Sequence, residues 1–203
     1  ELLEGEDLAG TIAREGRLPV ARVATIVAQV AKALWLAHGA GIVHRDLKPS
    51  NLFLARSGDD EIVKVLDFAI AKETMSSLVV DKTTSGTLVG SPQYMSPEQA
   101  RGEPIDFASD LWSLGVVVFE ALTGRPPFES THLGALLAKI HEATPPSPSS
   151  LVPGLPAAVD AFTARALAKK PAERFPSARV MADELTAIGV AVGMCAAHSR
   201  TRM

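Results

Sequence analysis

The run His44-Arg45-Asp46-Leu47-Lys48-Pro49-Ser50-Asn51 sets a carboxylate and a carboxamide on either side of a lysine. A carboxylate so placed can orient or deprotonate a hydroxyl, and a carboxamide oxygen is a hard donor suited to Mg²⁺. Further along, Asp67 closes a β-prone run and adds a second hard donor. Phosphoryl transfer asks a protein mainly to position reactants and to neutralise phosphate charge. It needs a carboxylate at the nucleophile, oxygens for a metal and a cation at the moving group. Asp46, Asn51 with Asp67, and Lys48 supply that set. Taken singly, Lys48 reads as a solvated charge and Asp67 as a turn residue; their order along one chain is what points to chemistry.

The surrounding pattern predicts the elements that position these groups. A short helix is expected over 6–16 and a longer one over 19–39. In the second, Val20, Val23, Val27, Val30, Ala31 and Leu34 recur at helical intervals until Gly39-Ala40-Gly41. Two β-prone runs, 52–54 and 62–66, flank turn residues over 57–60 and predict a small hairpin that ends on Asp67. The stretch 74–90 carries Ser, Thr and Gly without a period and reads as a long functional loop. After Pro97 the pattern is helical, so apolar from Leu111 to Leu122 that this helix belongs in mid-core, with Gly124 as its stop. A helix over 131–143, an extended proline-rich connection over 144–156, and helices over 157–169 and 177–190 follow, the last capped by Ser177. The fold class is mainly α (α+β).

Composition narrows the function classes. With 203 residues, 47% of them apolar, the chain can build a sizeable core, and a net charge of −3 with scattered Lys and Arg offers nothing to nucleic acid. The single Cys195 cannot form an intrachain disulfide, so a reducing, cytoplasmic setting is expected. No uninterrupted apolar run reaches membrane-spanning length, and the first residues lack signal-peptide character, so no membrane segment is expected.

The chain resembles the C-terminal lobe of a bacterial Hanks-type Ser/Thr protein kinase. The resemblance rests on the His44-to-Asn51 run, on Asp67-Phe68-Ala69 as the magnesium motif, and on Ser96-Pro97-Glu98 as the end of an activation segment. It implies transfer of the γ-phosphoryl of ATP, with Mg²⁺, to Ser or Thr hydroxyls of protein substrates. Asp46 would handle the hydroxyl, Lys48 would face the γ-phosphate, and Asn51 with Asp67 would hold the metal. It further implies that His44 packs beneath the loop, that Asp110 supports the loop backbone, that Glu98 pairs with Arg174, and that Ser91 lies in a peptide-docking loop. Leu3 would sit in a hinge against adenine, Asp7 at the ribose and Phe53 beneath the base. Phosphate on Thr83, Thr84, Ser85 or Thr87 would give Arg45 an anionic partner, and autophosphorylation could use a homodimer.

The match departs from the family's pattern in places. No Gly-x-Gly-x-x-Gly loop or Val-Ala-x-Lys strand occurs in the sequence, Ala69 stands where the magnesium motif usually has Gly, and Lys170 replaces a common acidic residue. Residues 1–190 are therefore expected to form a partial kinase domain starting at the hinge, with 191–203 as a tail. A non-catalytic, pseudokinase-like scaffold is the alternative, and the resemblance also allows a membrane-anchored parent.

Overall fold

A computed structural model describes residues 4–58, 60–68 and 91–200. Leu3, Ala69 and the four phosphosite candidates Thr83, Thr84, Ser85 and Thr87 lie outside them. The expected hairpin forms from β2 (Leu52–Ser57) and β3 (Asp60–Val65), but it carries a third strand. β1 (Gly5–Asp7) pairs antiparallel with β2, Gly5 opposite Ala55 and Asp7 opposite Phe53, to give the order β1-β2-β3. Three residues are too few for a period-2 signal, which is why the sequence reads as helical from Glu6. Asp7 instead ends the strand and caps α1 (Leu8–Glu15): its backbone is extended and its carboxylate accepts the Gly10 N–H at 2.7 Å.

α2 (Val20–Gly39) starts after Pro19 and buries Val23, Val27, Val30 and Leu34 against α4 (Phe107–Thr123) and α8 (Ala178–Arg200). By length and composition alone its 20 residues are apolar enough to cross a membrane, as those of a core helix can be. The expectation of no membrane segment rested on the absence of an unbroken apolar run, whereas an average over the helix tolerates Arg22, Gln29 and Lys32. Here its apolar stripe is filled by other helices.

α4 is the centre of the core, buried without a break from Ala108 to Phe119. Asp106 caps its start by accepting the Ala108 N–H at 2.8 Å. Around α4 lie α3 (Pro97–Ala100), α5 (Leu133–Glu142), α6 (Pro148–Leu151) and α7 (Ala157–Ala166). The proline-rich stretch is thus not wholly extended. Pro148 opens one helical turn, where it sacrifices no hydrogen bond, and Asp160 accepts from both the N–H and the hydroxyl of Ser149. Ser177 accepts the Val180 N–H at 3.2 Å to open α8. That helix runs on to Arg200 rather than stopping at 190, because the Ala-rich continuation contains no proline.

Gly124 stops α4 in the left-handed conformation, φ 81°, with its N–H on the Glu120 carbonyl. A Cβ there would lie 2.5 Å from the Gly16 carbonyl oxygen. Gly124→Ala should therefore lower stability by about 1–2 kcal/mol from backbone conformation alone, and by more through the clash. A shift of the urea midpoint to lower concentration at unchanged slope checks this.

Candidate active site

The site is built by the hairpin's open end. β2 and β3 are in register with Leu52 opposite Val65, and one step beyond the pair the Leu66 N–H donates to the Asn51 carbonyl at 2.8 Å. Antiparallel pairing thus sets Asn51, which leads into β2, beside the segment that delivers Asp67. The sequence reading named both residues; the register is what makes them neighbours.

Asp46 and Asp67 are held by unusual backbone. Arg45 at φ 70° and Asp67 at φ 52° are the described non-glycine residues with positive φ. Such geometry costs of order 1–3 kcal/mol per residue and persists where the surroundings impose it. For Arg45 the surroundings are specific. Asp110, in the first turn of α4 and 1% exposed, accepts the His44 N–H at 2.8 Å and the Arg45 N–H at 2.9 Å. Gln99 donates to the Arg45 carbonyl at 2.8 Å.

Two histidines complete the support, and their tautomers follow from their partners. His38 Nε2 lies 2.8 Å from Asp110 Oδ2, and an ionised carboxylate only accepts, so this nitrogen carries the hydrogen. His44 Nδ1 accepts the Asp46 N–H at 3.4 Å, which leaves Nε2 to donate to the Leu66 carbonyl at 2.9 Å. His44 is fully buried with its ring 4.8 Å from that of Phe68. It therefore ties the Asp46 loop to the Asp67 segment, a positioning role that leaves no nitrogen for proton transfer.

On this platform the Asp46 carboxylate stands largely in solvent, with Lys48 Nζ 2.8 Å from Oδ2. Asn51 donates to the Asp46 carbonyl at 2.7 Å, and its nitrogen lies 3.4 Å from Oδ2. Using the amide nitrogen in this way leaves the Asn51 oxygen as the donor for a cation. With the exposed Asp67 carboxylate it would offer a pair of hard oxygens. That pair fits Mg²⁺, which takes one or two protein oxygens and completes its octahedron with water and phosphate. Among the described residues no group of three or more His, Cys, Asp or Glu offers a self-sufficient metal cage.

The other candidates fall as follows. Asp7 and Phe53 are direct cross-strand partners, so their side chains share a face of the sheet. One Asp7 oxygen is already occupied as the α1 cap, which limits it as a ribose ligand. Ser91 makes no hydrogen bond to Asp46 or Lys48 among the described residues. The segment after Ser91 is anchored to α4: Ser113 donates to the Tyr94 carbonyl at 2.8 Å, and Tyr94 Oη donates to Glu120 at 2.6 Å. Burial raises the Glu120 carboxyl above its ordinary value although this hydrogen bond opposes it. His38 and Gln99 were not read as site residues. The Ser96-x-x-Gln99 capping box was legible, but Gln99's reach to Arg45 and His38's to Asp110 arise only when helices pack.

Glu98 and Arg174 form a bidentate pair at 2.7 and 2.8 Å, with Ser109 donating to the same carboxylate at 2.6 Å. Arg174 also donates to the carbonyls of Ala108, Ala168 and Lys169, so its buried charge is fully satisfied. Burial works against the Glu98 charge, but the Arg174 and Ser109 hydrogen bonds and the Arg174 charge together outweigh it. They hold the carboxyl at about 2.

The protein kinase domain model matches residues 1–186. Serine/threonine-protein kinase Pkn1 of Myxococcus xanthus is 44% identical over 178 residues, covering 87% of this chain and 25% of Pkn1. Pkn3 of the same organism is 43% identical over 192 residues, 93% of this chain and 35% of pkn3. The chain therefore spans about a quarter to a third of the length of these relatives. The crystal structure of the Mycobacterium tuberculosis PknI kinase domain matches with a TM-score of 0.70 at 30% identity. The match covers 93% of this chain and 64% of that one.

The buried pair sets an acid limit. A folded carboxyl at about 2 against an ordinary 4.5 means that the unfolded chain takes up its proton first as pH falls. The stabilisation is complete above 4.5 and disappears as pH falls towards 2. Removing one partner strands the other, so Arg174→Ala should cost about 3–5 kcal/mol. Stability measured against pH should fall less steeply below 4.5 in Glu98→Gln than in the native chain.

Proposed function

The chain belongs to the protein kinase family, and from that premise we propose that it serves transfer of the γ-phosphoryl group of ATP to Ser or Thr hydroxyls of proteins. The observation that carries this reading is the Asp46 cluster: an exposed carboxylate 2.8 Å from the Lys48 ammonium, on a loop whose backbone is fixed from the core. Asp46 orients the substrate hydroxyl and takes its proton. Lys48 places positive charge where the phosphoryl group moves, and its bond to Asp46 keeps the two in register. Asn51 and Asp67 would hold a divalent cation, which supplies neutralisation of phosphate charge when bound. Asp7 and Phe53 offer the sheet face for the nucleoside.

The 203 residues contain no glycine-rich phosphate loop, and we read the helical fold as the larger lobe of a kinase. We therefore read it as working with a second lobe that covers the nucleotide, and a cytoplasmic location suits such chemistry. Autophosphorylation on Thr83, Thr84, Ser85 or Thr87 could use two copies of the chain.

Titration of ATP with and without Mg²⁺ tests the half-site directly. Binding should require Mg²⁺ and weaken about tenfold or more in Asp67→Asn, which keeps the shape but removes the charge. Equal binding by Asp67→Asn, or binding indifferent to Mg²⁺, would contradict the assignment.

A further inference from the structure

Two cavities beside α2 and α8 share one wall, Trp35. The smaller, about 230 Å³, is lined by His38, Phe107, Pro176 and Ser177 as well. The larger, about 540 Å³, runs along Ala31, Lys32, Leu36, Arg179 and Asp183. The walls are apolar yet open to water: Trp35 is 51% exposed and Leu36 74%. Phe107 contributes a second exposed ring, its centroid 5.9 Å from that of His38.

The polar groups around this surface are unevenly charged. Lys32 and Arg179 are exposed and have no ion-pair partner among the described residues, against one carboxylate, Asp183. Two such cations in the cavity walled by the Trp35 ring, on a chain of net charge −3, select an anion carried on a flat apolar body. The smaller cavity also reaches the catalytic platform. His38, in its lining, makes the third hydrogen bond to Asp110, the carboxylate that holds the His44 and Arg45 amides.

The geometry points to a binding site for an aromatic carboxylate in the two cavities flanking Trp35, whose occupancy is transmitted to the Asp46 loop through His38 and Asp110. The ring lies against Trp35 and Phe107, and the carboxylate meets Lys32 and Arg179. Ligand pressing on the His38 ring alters its hydrogen bond to Asp110, the acceptor shared with the loop.

The test needs no phosphoryl transfer and so stands apart from the kinase reading. 2-Naphthoate is titrated by calorimetry into the native chain and into Trp35→Ala and Lys32→Gln/Arg179→Gln, all changes at exposed positions. Neutral 2-naphthylmethanol serves as the control ligand. One saturable site is expected, with affinity lower by about tenfold or more in either variant and for the alcohol. The His44 and Arg45 amide resonances should move on saturation. No binding at millimolar naphthoate, equal binding of the alcohol, or affinity unchanged in either variant would overturn the site. Binding that leaves both amide resonances in place would overturn the coupling.

Discussion

Everything around the Asp46 loop hangs from one buried carboxylate. Asp110 sits in the first turn of the most buried helix and accepts three hydrogen bonds, two of them from consecutive backbone amides of the Asp46 loop. A charged acceptor in a dry place makes strong hydrogen bonds and is costly to leave unsatisfied. The loop is therefore bound to the core as firmly as the core holds α4. That is what allows Arg45 to remain at φ 70° and Asp46 to stand in solvent without wandering.

A second constraint comes from the sheet. Antiparallel pairing of β2 and β3 returns the chain to its starting level, so Asn51 and the Asp67 segment meet without any long-range search. His44 then locks the two ends together through its two ring nitrogens. Core, loop and hairpin thus share one origin, with Asp110 fixing the loop from below and His44 fixing the hairpin's mouth beside it. The Glu98–Arg174 pair performs the equivalent service one step away, tying the segment after Tyr94 to the chain before α8.

The sequence was most legible where chemistry demands particular residues at fixed spacing. Asp46, Lys48, Asn51 and Asp67 were readable as a phosphoryl-transfer set, and the dense apolar run around Leu114 announced the central helix. Legibility failed where geometry comes from packing. β1 is too short to carry a period, the turn at Pro148 is one helical turn in a breaker-rich stretch, and α8 passes 190 because nothing in its composition stops it. His38 had no visible company in sequence, since its partner Asp110 is brought to it only when α2 packs on α4. For the same helix, apolar content alone does not say which neighbour covers it.

The most direct measurement is hydrogen exchange at the His44 and Arg45 backbone amides in the native chain and in Asp110→Asn. If the buried carboxylate holds the loop, both amides are protected in the native chain. At least one should then exchange about tenfold or more faster in the variant while amides in the middle of α4 remain protected. Unchanged protection at both amides would show that the loop is held by something other than Asp110 and would contradict the account.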